Sequence, residues 1–366
     1  MFIIKNKMPI WYVGSICFIT IFTSYSFQTG ILIPDVFTAV SILCLVILLF
    51  DTNLLKIERI GIYLLFVFSV LSHFSNVIIL MSLIPVIYLI NYRNKRKNNY
   101  FIKLSRMYSL IIIFIISIFI YQTTNYFDGK GFVISNSSHV FIMNHLEEIG
   151  LVNVFLKENC DEANTYRYCV YIDDTTFDFV WDKERPLYKT GGWQKNKEEY
   201  NEIIFKIISN PKYWETIFVS SVNHTLEQFF TFETEIFPSE NIVDGPVYGQ
   251  VNWHFKKELG SYLNSRQNTG NHNLQLLNKF HFIIIIISMI LLLLYLIGFG
   301  KLKLLNKKLS FVILIFVIHN ILNSIICSNL APVVNRFQSR LVWLFPLLIV
   351  LIIHTYLNRN HEQNNI

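Results

Sequence analysis

The sequence predicts an all-α polytopic membrane protein of about eight transmembrane helices, carrying one mainly α-helical extracytoplasmic domain. Three observations lead there. Long runs of Ile, Leu, Phe and Val flank a polar insert, and one run, 282–299, holds eighteen residues without a charge, enough to cross a ~30 Å hydrocarbon core as a helix. Hydrophobic residues make up 53% of the 366 and charged residues only 15%, far from a soluble domain's average. The net charge of +6 is also split by region. Residues 128–279 hold 14 Lys/Arg against 21 Asp/Glu, whereas the rest holds 17 against 4. A nucleic-acid surface would need those positive charges on one folded face. Here they sit in short loops beside apolar runs, the pattern that orients membrane proteins, so nucleic acid is excluded as a partner and membrane lipids are expected.

The spans follow in order. The first, 10–27, comes after Lys5 and Lys7, is rich in aromatics and lacks a small-residue cleavage site, so it reads as an uncleaved anchor. The second, 33–50, is followed by Lys56 and Arg59. Residues 60–90 are too many for one helix and few for two. Lys56 and Arg59 precede this stretch and Arg93, Lys95, Arg96 and Lys97 follow it, so both flanks belong in the cytoplasm and the crossings must be even. The stretch is therefore a hairpin of two short spans with its tip at Ser72-His73-Phe74-Ser75. Spans at 108–124, 282–299, 311–327 and 341–357 complete the set, with Lys301, Lys303, Lys307 and Lys308 inside. Both termini fall in the cytoplasm. The chain thus divides into an N-terminal membrane region (1–124), an extracytoplasmic domain (125–280), a C-terminal membrane region (281–357) and a polar tail (358–366) expected to be disordered.

The polar insert is long enough for its own core. A helix capped by Ser137 or Ser138 would carry Val140, Phe141, Met143, Leu146, Ile149 and Val152 on one face. Further helices are predicted over 197–209, ended by Asn210-Pro211, and over 213–230. Residues 166–173 alternate as a short strand would. Residues 182–193 read as a loop, with Pro186 and the Gly191-Gly192 pair.

Cys17, Cys44 and Cys327 lie in spans and read as apolar packing residues. Cys160 and Cys169 lie in the insert with eight residues between them. Outside the cytoplasm such a pair forms a disulfide, and no second Cys or His pair stands nearby at metal-ligand spacing.

No Walker loop, His-Glu-x-x-His or Gly-x-Ser-x-Gly is present, so neither an ATP-driven pump nor a common hydrolase is indicated. The candidates are polar residues near the outer membrane face. Asp35 follows Pro34 at the start of the second span, where an acid must stay hydrated, pair or bind a cation; the bland alternative is a helix N-terminal acid favoured by the dipole. His73, at the hairpin tip, would share that face or simply shape the turn. His319 and His354 read as helix-contact residues. Arg336 and Arg340, four apart in the loop before the last span, run against the positive-inside tendency. They suit either bidentate phosphate binding or ion pairing with the acidic domain or lipid headgroups. Trp181, Trp193, Trp214 and Trp253 are candidates to stack on sugars or to fill a core. Trp193, after two glycines, is the candidate to fold down over a membrane-facing cavity.

The segment 26–50, with Pro34-Asp35 before an apolar span, resembles the Pro-Asp or Thr-Asp element of membrane glycosyltransferases of the GT-C class. Glu158-Asn159-Cys160, Tyr168-Cys169, Phe179-Val180-Trp181-Asp182, Tyr188-Lys189-Thr190-Gly191-Gly192-Trp193 and Ser265-Arg266-Gln267 resemble an uncharacterised family of bacterial multi-spanning inner-membrane proteins. The first resemblance implies an envelope glycosyltransferase using a polyprenyl-phosphate-linked sugar at the outer face of the inner membrane. An external carboxylate, Asp35 with His73 beside it, would then serve as general base or hold a divalent cation, and Arg336 and Arg340 would hold the lipid phosphate. In GT-C enzymes several spans precede such an acid; here one precedes Asp35, so either further spans lie upstream of this chain or Asp35 serves alone. The alternative expectation is a non-catalytic assembly or transport component of envelope polysaccharide biogenesis. The spans are nearly free of charge, which speaks against coupled transport.

Overall fold

The computed structural model describes residues 9–30, 33–96, 102–160, 166–172, 179–180, 182, 184–235, 246–266, 268–269, 273–298 and 307–364. Among them there are helices and no strand. In chain order they are α1 (Pro9–Phe22), α2 (Tyr25–Gly30), α3 (Val36–Phe50), α4 (Lys56–Ser72), α5 (Phe74–Arg96), α6 (Leu104–Phe127), α7 (Ser138–Glu148), α8 (Leu151–Asn159), α9 (Pro186–Lys189), α10 (Gly192–Lys195), α11 (Lys197–Ser209), α12 (Trp214–Phe230), α13 (Pro246–His254), α14 (Leu259–Leu263), α15 (Gln275–Ile297), α16 (Lys307–Leu330), α17 (Asn335–Val342) and α18 (Leu344–Asn364).

Among the described residues, five segments are long and apolar enough to cross a membrane: Phe74–Asn94, Leu104–Phe127, Gln275–Ile297, Lys307–Leu330 and Asn335–Leu357. Of the eight expected spans, these five are matched among the described residues. Trp11–Phe22 and Val36–Phe50 are apolar but shorter. The first expected span is divided where Thr23 turns its hydroxyl back onto the Ile19 carbonyl (2.6 Å) and also takes the Tyr25 N–H (3.3 Å), a local bond that competes with the helical ladder. The hairpin tip falls where expected, at His73 between α4 and α5, but its arms are unequal at 17 and 23 residues. The tail is a continuation of α18 through Asn364 rather than a disordered end.

In the bundle α3 pairs with α4, α5 with α16, and α15 with α18, around a core that includes Leu45, Phe66, Leu80, Ile315 and Leu341. At one end, Lys308 donates to the Phe50 carbonyl (2.9 Å) and Arg106 to the Leu49 carbonyl (3.2 Å). Two cations thus satisfy the last carbonyls of α3, where a helix end favours positive charge. The polar domain joins the bundle at the opposite end.

That domain has a second core. Val140, Met143, Leu146 and Val152 are buried as the helical spacing predicts, with Phe141 and Ile149 partly so, and α11 contributes Tyr200, Ile203, Ile204 and Ile207. The expected strand is replaced by a 3-10 turn at Arg167–Tyr171; the end of that segment lies outside the described residues. Among the described residues no neighbouring strand offers a ladder there. Instead the Tyr168 N–H bonds Glu199 (3.1 Å), and Arg167 bonds Glu199, the Thr190 carbonyl and the Lys195 carbonyl (2.7–3.0 Å). The expected loop at 182–193 contains the single turns α9 and α10, joined at Gly191 and Gly192, whose φ of 125° and 79° suit glycine.

Cys160 and Cys169 form the expected disulfide. Closing so short a loop restricts the unfolded chain by about 3 kcal/mol, and Cys169 is buried. The double Cys→Ala variant should lower the unfolding midpoint of this domain; an unchanged midpoint would remove the bridge from its stability. A pH dependence is also expected. His145 is 5% exposed, its ring lies 5.4 Å from that of His224, and neither of its ring nitrogens has a partner among the described residues. Burial, reinforced by His224, pushes its pKa down to about 4. The unfolded chain, titrating near 6.5, binds the proton more readily. This contribution is therefore complete above about pH 6.5 and declines as pH falls toward 4, by on the order of 3 kcal/mol. Unfolding scans between pH 7 and 4 should show the decline, and His145→Asn should flatten it.

Candidate functional site

Where the polar domain meets the bundle, four helices bring together residues from both halves of the chain. Asp35 precedes α3, Ser75 lies in the first turn of α5, Asn323 and Cys327 lie on one face of α16, and Arg340 projects from α17. Arg340 is completely buried and Asp35 nearly so, at 0% and 4% exposure. The guanidinium donates through Nη1 to Asp35 Oδ1 at 2.7 Å, across 305 residues of sequence. Its Nη2 reaches Asn323 Oδ1 (2.8 Å), Ser75 Oγ (3.2 Å) and Cys327 Sγ (3.3 Å). A charge this deep is tolerated only when it is paired and its donors are used. The Arg340 Nε remains without a partner among the described residues, as do both ring nitrogens of the fully buried His319. Such unpaired buried groups each cost about 1–3 kcal/mol.

α17 is fixed by a belt of amides and hydroxyls. Gln338 Oε1 accepts from Asn323 Nδ2 (2.9 Å) and Ser324 Oγ (3.2 Å), and Asn323 Nδ2 also donates to the Phe337 carbonyl (2.7 Å). Ser24, just before α2, donates to the Ser339 carbonyl, and Gln28 of α2 donates to Ser339 Oγ, both at 2.8 Å. The ring of Phe337 lies against both guanidinia, 5.0 Å from Arg336 and 5.4 Å from Arg340, as their spacing of four on a helix allows.

His73 sits 4.0 Å from the same Asp35 oxygen. The Ser75 N–H donates to His73 Nδ1 (3.2 Å), and Ser75 Oγ lies 2.7 Å from it. A backbone donor makes Nδ1 the acceptor, so the proton of the neutral ring is on Nε2, toward Asp35. Asp35 Oδ2 takes no bond from any described residue. Asp35 lines a small pocket with Gln28, Arg336, Ser339, Glu233 and Glu235. Its accessible space is about 10 Å³, room for roughly one water. The strap carrying the two glutamates is pinned: Glu233 N–H to Asn335 Oδ1 (2.8 Å), Asn335 Nδ2 to Glu235 Oε1 (2.5 Å), and Thr234 to Asn278 through both backbone groups (3.0 and 3.1 Å).

Next to this pocket an apolar slot of about 630 Å³ runs between α1, α3, α16 and α18, from Tyr25 and Trp343 at one end to Asp51 and His354 at the other. Tyr25 and Gln28 lie three apart on α2, and Ser339 and Trp343 four apart across the α17–α18 junction, so slot and pocket adjoin within one helical turn.

The sequence candidates therefore divide. Asp35, His73, Arg336 and Arg340 come together. Arg340 is in the protein interior rather than in an open loop above a bilayer, and its partner is Asp35 rather than an acid of the polar domain. Trp193 stands apart, half-buried against the polar domain's core: its ring meets Phe141 at 5.8 Å and its carbonyl lies 2.7 Å from His139 Nε2. Trp214 and Trp253 are exposed, and Trp181 and Gln267 lie outside the described residues. Cys327, expected only to pack, lies within the polar cluster. Its signal was the series Asn320, Asn323, Ser324 and Cys327, which puts a polar stripe on one face of a span. No three His, Cys, Asp or Glu side chains among the described residues converge to hold a metal ion, so a divalent cation finds no ready ligand set here.

No protein-family model, curated protein or solved structure matches the chain.

Removing one member of the Asp35–Arg340 pair leaves the other charge buried, a loss of about 3–5 kcal/mol, whereas replacing both with apolar groups is far milder. Asp35→Leu and Arg340→Met should each lower the melting temperature in detergent, and the double variant should recover most of the loss. Additive losses would show that the two charges do not act as a pair.

Proposed function

We propose that the protein is a membrane-embedded glycosyltransferase of GT-C type, acting on a polyprenyl-phosphate-linked sugar at the outer face of a bacterial inner membrane. The observation that carries this reading is the meeting of Asp35, His73 and Arg336 beside an apolar slot. In this reading Asp35 Oδ2 takes the proton of the acceptor hydroxyl, and Arg340, through Oδ1, keeps the carboxylate aimed. Arg336 faces the pocket and receives the donor phosphate. Arg340 positions the base and does not touch substrate. The slot accommodates part of the hydrocarbon chain. The Glu233–Glu235 strap must shift for a sugar to enter, because the pocket as it stands holds about one water. The orientation rests on charge: of the 17 Lys/Arg outside the polar insert, all but Arg336 and Arg340 favour a cytoplasmic side for the short loops and both termini. The Cys160–Cys169 bridge suits an oxidising compartment for the domain.

The tightness of that pocket favours a second reading, in which the polar cluster is a structural lock and the protein a non-catalytic assembly component. One experiment separates them. Purified protein in vesicles would receive a polyprenyl-phosphate-linked sugar, with release of the polyprenyl phosphate followed. Asp35→Asn should cut turnover by about 10²–10⁴-fold, and Arg336→Lys should chiefly raise KM. Full turnover of Asp35→Asn would overturn the catalytic reading, and loss of melting temperature without any turnover in the parent protein would establish the lock.

A further inference from the structure

We infer that α12 is immersed on one side in the hydrocarbon of the bilayer leaflet nearest the polar domain, forming a lipid-contact surface outside the crossing helices. The inference is independent of any catalytic role for Asp35. At 3.6 residues per turn the helix has three faces. Ile217, Ser221, His224 and Gln228 form the face turned toward α7 and α16, and all are buried or half-buried. Trp214, Phe218, Val222, Leu226 and Phe230, each four after the last, form a second face that is 42–70% exposed. Thr216, Asn223 and Glu227 form a narrow polar strip between them, also exposed. The one charge within the apolar arc, Glu215, is in the first turn beside Trp214.

A water-exposed domain does not carry five large apolar side chains in one stripe without a cover, and the position of the helix identifies the cover. Tyr213, just before it, is buried in the polar domain's core. Near its other end, Gln228 makes two bonds to the backbone of Val334 (2.9 and 3.1 Å), in the connection that follows α16. Between these ends it lies along α16, in the most extensive pairing that α16 makes. A helix alongside a membrane-crossing helix shares its depth. The exposure of the stripe also matches that of residues facing out from the spans: Ile283, Ile287 and Ile290 on α15 at 51–55%, and Ile321 and Ile325 on α16 at 41–42%. The division of exposed surface into an apolar arc and a polar strip is that of a helix half-sunk in an interface. Trp214, with its ring N–H on the Ile208 carbonyl (2.8 Å), sits at the end where an amphipathic aromatic belongs at headgroup height.

The test places the photocrosslinking residue p-benzoylphenylalanine at Phe218, Val222, Thr216 or Asn223, one position at a time, with Ile287 as a span reference. The full chain is reconstituted in phosphatidylethanolamine–phosphatidylglycerol vesicles and, separately, retained in native membranes. Lipid adducts at 218 and 222 should approach the yield at 287 and exceed those at 216 and 223 several-fold. Equal labelling at all four α12 positions, no lipid adduct at 218 and 222 while 287 reacts, or crosslinks from 218 and 222 to a protein in native membranes would each overturn the inference. Should a variant fail to fold, the unlabelled protein serves: in brominated-lipid vesicles the fluorescence lost on Trp214→Phe should be a strongly quenched component, and an unquenched one would overturn the inference.

Discussion

The arrangement depends on one buried contact, the Asp35–Arg340 pair. Arg340 lies at the junction of α17 with the last span, where an unpaired guanidinium would be intolerable, and Asp35 is the acid that meets it there. Everything around the pair serves its desolvation. Ser75, Asn323 and Cys327 take the second guanidinium nitrogen, Gln338 and Ser339 tie α17 to α16 and α2, and Phe337 covers both arginines. Because buried pairs give little net stability over apolar packing, this cluster is better understood as specifying which helices meet than as a source of strength.

The same cluster explains the form of the α16–α18 region. The chain leaves α16 at Leu330 and passes Pro332, which cannot continue a ladder. It then resumes as α17, whose residues 337–340 lie beside 320–327 of α16. A straight span would have carried the arginines outward. The break turns one guanidinium into the bundle and leaves the other, Arg336, at the pocket.

Much of this was legible in the sequence. Apolar runs, positive loops and the hairpin tip at His73 follow from local composition, and the pairing of Cys160 with Cys169 follows from compartment and spacing. Asp35 and His73 stand out because each is a polar residue at the start or end of a span. Their convergence with Arg340 was not legible, because it is a contact across 305 residues and no local pattern encodes which helices neighbour one another. A partial clue existed: an arginine bordering an apolar stretch requires a partner at equal depth, and acids are scarce outside the polar insert. The break within the first expected span was not legible either. Residues 10–27 carry no charge, but the bonds of the Thr23 hydroxyl fall where two shorter helices meet. The strand expected at 166–173 failed because alternation is ambiguous over so few residues, and here the tertiary bonds of Arg167 and Tyr168 to Glu199 decided the backbone.

The depth of Arg340 has a consequence for biogenesis. A segment entering the bilayer with an arginine near its end carries a penalty of up to about 2.5–3.5 kcal/mol if that residue lies centrally. The acid that pairs with it is synthesised some three hundred residues earlier. Until the last helix arrives, the acid of the nascent chain is itself unneutralised among the early helices. Association of the helices that carry Asp35 and Arg340 therefore waits for the synthesis of Arg340, and a chain cut short before it leaves the carboxylate without that partner.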